Sequence, residues 1–160
     1  MHPSSTPNAQ LAIGPTLAFR SFRNEYFRLV DYQSYSVSEE LREGHLFELR
    51  LREAEPAFGS DSRFVTVGTG LSWRFPMGDD AFLATGFDHS FRVDDGFSDI
   101  TISGSIRVVT SRFAAGRFVA RVVATELKRN GANSLLSVGG DNGLRGYPNG
   151  FVKGTRAMQA

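Results

Sequence analysis

Residues 63–75 alternate without interruption, with Val65, Val67, Thr69, Leu71, Trp73 and Phe75 on one parity and Phe64, Thr66, Gly68, Gly70, Ser72 and Arg74 on the other. Successive side chains of a strand point to opposite sides, so this pattern predicts a strand with one apolar face and one small or polar face. The pattern returns over residues 81–92, where Leu83, Thr85, Phe87, His89 and Phe91 oppose Ala84, Gly86, Asp88, Ser90 and Arg92. It returns again over 100–110, where Ile100, Ile102, Ile106 and Val108 oppose Thr101, Ser103, Ser105 and Arg107. Less regular candidates at 16–30, 45–52, 117–128 and 151–160 bring the expected total to about seven strands. The best helix signal is Ser36-Val37-Ser38-Glu39-Glu40 within 36–42, which predicts a single turn. The expected fold class is all-β, an antiparallel up-and-down meander.

The connections carry a second pattern. Segments 76–80 and 113–116 read as tight turns, whereas 53–62, 93–98 and 129–150 read as longer loops. In a meander, alternate connections emerge at the same end, so short and long connections sort to opposite ends, as in outer-membrane barrels. Segment 31–44 breaks the rule, because its place in the order calls for a short turn. Residues 1–14 read as a polar, disordered leader and residues 15–160 as one partial barrel domain.

Alternation does not say which face meets water. A soluble sheet turns its apolar face inward, whereas a membrane barrel turns it to lipid around a polar lumen. The candidate strands run to about 10–13 residues, against about 9–11 for a tilted membrane strand and about 5–6 for a typical soluble one. Trp73, Phe75 and Phe91 stand at strand ends, where an interfacial aromatic girdle falls. The other face is rich in Ser, Thr and Gly. These features favour an outer membrane as location and its lipid bilayer as partner.

Composition excludes other classes. The chain of 160 residues has no cysteine, which removes disulfides and thiolate chemistry. Its net charge of +1 argues against a nucleic-acid partner. Its apolar runs are far shorter than the roughly 20 residues of a spanning helix. The N-terminus lacks the basic start and apolar core of a secretory signal, so an exported chain would carry its signal elsewhere. His2, His45 and His89 stand alone, without metal-ligand spacing. No Gly-x-Ser-x-Gly elbow and no phosphate cradle is present. Neither enzymatic activity nor a cofactor is expected. Glu48, Arg50 and Arg52 share one strand face, and Arg74, Asp88 and Arg107 sit on the polar faces of others. They form either a solvated surface with weak ion pairs or a charged lumen.

Between the last two strand candidates, residues 138–150 read Val-Gly-Gly-Asp-Asn-Gly-Leu-Arg-Gly-Tyr-Pro-Asn-Gly, one arginine among five glycines. Leu144-Arg145-Gly146-Tyr147, preceded by Gly139, Gly140 and Gly143 and followed by Gly150 and Gly154, resembles the signature of the BamA-type bacterial surface-antigen superfamily, the outer-membrane assembly and translocation barrels. Segment 31–44, with Glu39-Glu40 before Gly44, is loosely similar to an acidic pair and glycine of some members. The resemblance implies a transmembrane barrel of about 16 strands that inserts or translocates client polypeptides at the outer membrane. It also implies a long loop folded into the lumen, with Arg145 meeting an acidic residue on the inner wall, a pairing suited to the guanidinium fork. Complete members carry further strands after this loop and periplasmic domains before the barrel. The chain is therefore expected to be a partial barrel, with the missing strands or domains supplied by another chain or a longer parent. Two alternatives stay open: a small soluble β-barrel binding an apolar ligand, and a barrel fragment without activity of its own.

Overall fold

The computed structural model describes residues 11–94, 97–114, 116–128, 135–138 and 152–159. Its strands are β1 (Thr16–Phe22), β2 (Glu25–Val30), β3 (Ser38–Ala54), β4 (Phe64–Pro76), β5 (Phe82–Asp94), β6 (Phe97–Val109), β7 (Val119–Lys128), β8 (Leu136–Val138), β9 (Val152–Gly154) and β10 (Arg156–Gln159). One 3-10 turn, Pro56–Phe58, is the helical element among the described residues. The main sheet runs β1-β3-β4-β5-β6-β7-β10, with β2 also paired to β3, and β8 and β9 pair separately. The chain is thus an antiparallel meander, as the alternation requires.

β1 and β2 are one line of chain interrupted at residues 23 and 24. Both lie along the same edge of β3 in continuous register, from Thr16↔Arg52 to Phe22↔Leu46 and from Glu25↔Glu43 to Val30↔Ser38. The backbone N–H of Arg23 donates to the His45 carbonyl at 3.2 Å and bridges the interruption. Every step of the main path is antiparallel and an even number of steps separates β1 from β10, so these two strands run in the same direction. No described strand covers the outer edge of β1.

Several expectations are corrected. Residues 38–42, read as part of a helical turn, are strand: Leu41 is drawn into an apolar cluster with Leu29 and Phe82. The Glu39 carboxylate, expected near a helix start, instead accepts the backbone N–H groups of Gln33 and Ser34 at 2.6 and 3.0 Å and shapes the β2–β3 loop. Segment 31–44 is therefore a short loop, 31–37, followed by strand. β5 and β6 are separated by residues 95 and 96 alone, so 93–98 is not a long connection. Conversely, 110–118 links β6 to β7, wider than the turn expected at 113–116, because the Phe113↔Gly116 bridge closes only its tip. The proposed sorting of short and long connections to opposite ends does not hold. Residues 136–138, assigned to a loop, form β8, and 151–160 is divided between β9 and β10.

The N-terminal segment is fastened from Leu11 onward. Glu53 and Glu55 donate backbone N–H groups to the carbonyls of Pro15 and Ile13 at 3.2 Å each. The Ser60 hydroxyl donates to the Ile13 carbonyl at 2.6 Å and accepts its N–H at 2.7 Å. Residues 11–14, placed in the leader from the sequence, thus continue the edge of the sheet.

The core is small. Among the described residues the buried apolar side chains are Leu29, Phe82 and Val109 in one cluster, together with Ala54, Phe64 and Ala81. Leu29 belongs to β2 and Val109 to β6, with β3, β4 and β5 between them. The β2–β3 hairpin therefore crosses over the face that carries Phe82. Gly44, at φ +79°, lies at the bend, in the left-handed region that glycine occupies without a Cβ penalty. Beyond it, odd-numbered Phe27, Leu29 and Leu41 pack on the face that even-numbered residues of β3 and β4 occupy.

Candidate functional site

Directly paired residues of an antiparallel sheet share a face, so the register assembles each face row by row. On the outer face one row reads Ser21, Phe47, Leu71, Phe87, Gly104, Ala124 and Met158. The next reads Phe19, Leu49, Thr69, His89, Ile102, Glu126 and Arg156, and the one beyond it Leu17, Leu51, Val67, Phe91, Ile100 and Lys128. Leu71 and Phe87 lie mid-strand with neighbours on both sides, yet are 48% and 49% exposed. Leu17, Phe19, Ile106 and Met158 are more exposed still. The apolar face is open across the whole sheet.

The charged limit of this face is oblique. On β3 the first outward charge at one end is Glu53, whereas on β7 it is Glu126, two rows nearer the middle. Two rows along the strands (~14 Å) across four inter-strand gaps (~19 Å) give an inclination of about 35°. At the other end the β1 side reaches its limit at Arg23, one row short of the level that Phe75 and Val108 occupy on β4 and β6. The apolar region is thus a band crossing the strands at a slant. Aromatic groups stand at both of its limits. Trp73 stacks on Phe75 at 5.5 Å with His45 5.6 Å from Trp73, and His89 lies 5.9 Å from Phe91 at the opposite end.

The inner face is polar. Glu48 pairs with Arg20 and with Arg50, the latter at 3.6 Å. With Gly68, Gly70, Asp88 and Ser103, Glu48 and Arg50 line an open concavity of about 200 Å³. Ser103 and Thr125 share a hydrogen bond at 3.0 Å. Arg52 instead donates to the Ala12 carbonyl at 2.5 Å and holds the N-terminal segment. The charged residues singled out from the sequence therefore occupy one surface, and His45 and His89 stand on the opposite one. Among the described residues no cluster of acidic or histidine side chains suits a metal ion, and no helix is long and apolar enough to cross a membrane.

A latch that alternation does not announce closes one end of the inner face. The Arg117 guanidinium, 6% exposed, donates to the carbonyls of Asp80, Thr110 and Val30 at 2.5, 3.0 and 3.1 Å and pairs with the Asp80 carboxylate. Arg112 donates its backbone N–H to Asp80 at 3.0 Å and its guanidinium to Asp31 at 2.5 Å. Arg107 reaches the Tyr32 hydroxyl at 2.7 Å. These bonds tie the tip of the β2–β3 hairpin to the β4–β5 and β6–β7 connections. Their only sequence signal is an excess of arginine and aspartate in turns.

Burial alone would raise the Asp80 carboxyl, but hydrogen bonds from Arg117 and the Arg112 N–H, with both guanidinium charges, outweigh it and hold the group below its ordinary value. A depressed folded-state value stabilises fully above the unfolded pKa, about 3.9, and the contribution is lost as pH falls through the folded value. Acidification below about pH 4 is therefore expected to loosen the hairpin. Asp80→Asn should flatten that part of the stability–pH profile, as read by thermal melts across pH. An unchanged acid slope would remove Asp80 from the latch.

Leu144, Arg145, Gly146 and Tyr147, with Gly139, Gly140, Gly143 and Gly150, lie outside the described residues, as does His2. No family model matches the chain, and no curated protein or solved structure matches it.

Proposed function

We propose that this chain is a wall segment of an outer-membrane β-barrel of the BamA type, whose complete form inserts or translocates proteins at the outer membrane. The observation that carries the lipid-facing part is the slanted apolar band. Its limit from Glu53 to Glu126 is inclined by about 35°, close to the 35–45° strand tilt of membrane barrels, and its opposite limit slants in the same sense. Val67 to Phe75 covers ~27 Å along β4, or ~22 Å of depth at that tilt, close to the ~25 Å apolar height of such barrels. A soluble sheet has no reason to end its apolar face along a slanted line, and a barrel binding an apolar ligand would turn that face inward.

The assignment to assembly or translocation rests on the resemblance around Arg145 and on the outer edge of β1, which no described strand covers. An open edge templates an incoming strand through its free N–H and C=O groups. β1 and β10 run parallel, so a wholly antiparallel closure needs an odd number of further strands between them. The work is non-covalent and calls for no cofactor.

The test is refolding of the full chain from urea into neutral-detergent micelles, into vesicles of phosphatidylethanolamine and phosphatidylglycerol, and into buffer alone. The expected result is cooperative β-structure and protease protection with amphiphile, and aggregation without it. A folded, monodisperse protein in buffer alone would overturn the lipid-facing reading. For the BamA-type role, Arg145→Ala in a full-length parent should impair client insertion, and full insertion activity would end that assignment.

A further inference from the structure

One row of the inner face carries three arginines. The pairings Arg74↔Ala84, Ala84↔Arg107 and Arg107↔Arg121 cross β4, β5, β6 and β7 in line. The row spans ~14 Å at the usual strand spacing, within which long side chains converge. Arg107 and Arg121 are direct cross-strand neighbours, an arrangement that like charges disfavour. Among the described residues no carboxylate stands on that row.

The three charges are not neutralised by the fold. Arg74 donates to the Arg42 carbonyl and Arg107 to the Tyr32 hydroxyl, each at 2.7 Å, and both acceptors are neutral. Arg74 Nε is buried without a hydrogen-bond partner. Arg121 has no hydrogen bond or ion pair among the described residues. Room is present beside them: an open concavity of about 210 Å³ is lined by the three arginines with Ala84, Gly86 and Ser105. A Cβ at position 86 would fall 2.7 Å from Ser105 Oγ, so the glycine leaves that hydroxyl unobstructed. Asp88 also lines the space, but its backbone lies ~13 Å along β5 from Ala84.

We propose that this row binds a water-borne phosphate-bearing solute with two or more negative charges. Guanidinium forks match phosphate oxygens bidentately, and a phosphate offers oxygens to several donors at once. A single carboxylate would leave most of the row's charge unbalanced. The row stands on the polar inner face, opposite the apolar band, which favours a soluble phosphate over a lipid headgroup. The site stands on this geometry whether or not the outer face meets lipid.

The test is calorimetric titration of the full chain, folded in neutral detergent at low salt, with inorganic pyrophosphate and separately with a short-chain phosphatidic acid. Saturable pyrophosphate binding is expected, weakened about tenfold by Arg121→Gln through loss of one charge-assisted donor. Arg121 is exposed, so this variant should fold, as circular dichroism would report. Arg50→Gln, on the same face but paired with Glu48, should leave the affinity unchanged. Three results would overturn the proposal: no saturable binding, equal losses in the two variants, or binding of the phosphatidic acid without binding of pyrophosphate.

Discussion

Leu71→Arg is expected to abolish stable insertion of this chain into bilayers. Leu71 occupies the middle row of the outer face, flanked by Phe47 and Phe87 on the neighbouring strands. A guanidinium at the bilayer midplane of a membrane barrel costs about 2–4 kcal/mol, a large part of the net stability of any domain. The measurement is urea unfolding in phosphatidylglycerol-containing vesicles, with Thr101→Arg on the inner face as the reference. Thr101 faces the polar concavity, where an added arginine meets water and the neighbouring carboxylates. Equal losses at both positions, or a Leu71→Arg protein that becomes a stable monomer in buffer, would show that the outer face does not meet lipid.

Phe82→Ala should release the β2–β3 hairpin while leaving the sheet beneath it intact. Phe82 is 1% exposed and meets Phe27 and Tyr32 edge-on at 5.8 and 5.5 Å, with the Arg74 guanidinium 5.4 Å from its ring. Truncating a buried phenylalanine costs about 3–5 kcal/mol, the transfer term plus the cavity left behind. Here the loss falls mainly on one contact surface, because Leu29, Leu41 and Phe27 come from the hairpin and Phe82, Ala84 and Val109 from the sheet. Hydrogen exchange is the discriminating measurement. Amides of β2 and residues 38–43 should lose protection, while the β4–β5 and β5–β6 ladders keep theirs. Phe87→Ala, on the exposed outer face, should leave hairpin protection unchanged. A uniform loss of protection through every ladder would mean that the hairpin and sheet unfold as one unit.

Much of this architecture is legible from residue parity. Alternation over 63–75, 81–92 and 100–110 places the central strands, β4 to β6, to within a few residues, and it assigns Arg74, Asp88 and Arg107 to the polar faces of their strands, which the register then joins into one. A strand's period is a local property of the backbone, so neighbouring residues suffice to reveal it. The connections are less legible because their lengths depend on where pairing stops. β5 and β6 continue to Asp94 and Phe97 although Asp94, Ser98 and Asp99 break the apolar alternation there, since ladder hydrogen bonds are indifferent to side-chain character. Ser36 to Arg42 carries a helix-start pattern, but Glu39 finds loop amides and Leu41 finds Phe82. Local capping yields where a strand offers both a partner edge and burial.

The division of each strand into two faces thus belongs to the residues alone: alternation decides which side chains of that strand stand together, and no tertiary contact is needed to know it. Which face turns inward, and what covers its end, is decided by contacts between distant parts of the chain. Leu29 joins Phe82 and Val109 in one cluster, and Arg117 holds the Val30 carbonyl. Those meetings follow from a bend at Gly44 and the hydrogen-bonding needs of a nearly buried guanidinium, neither of which has a period that sequence can display.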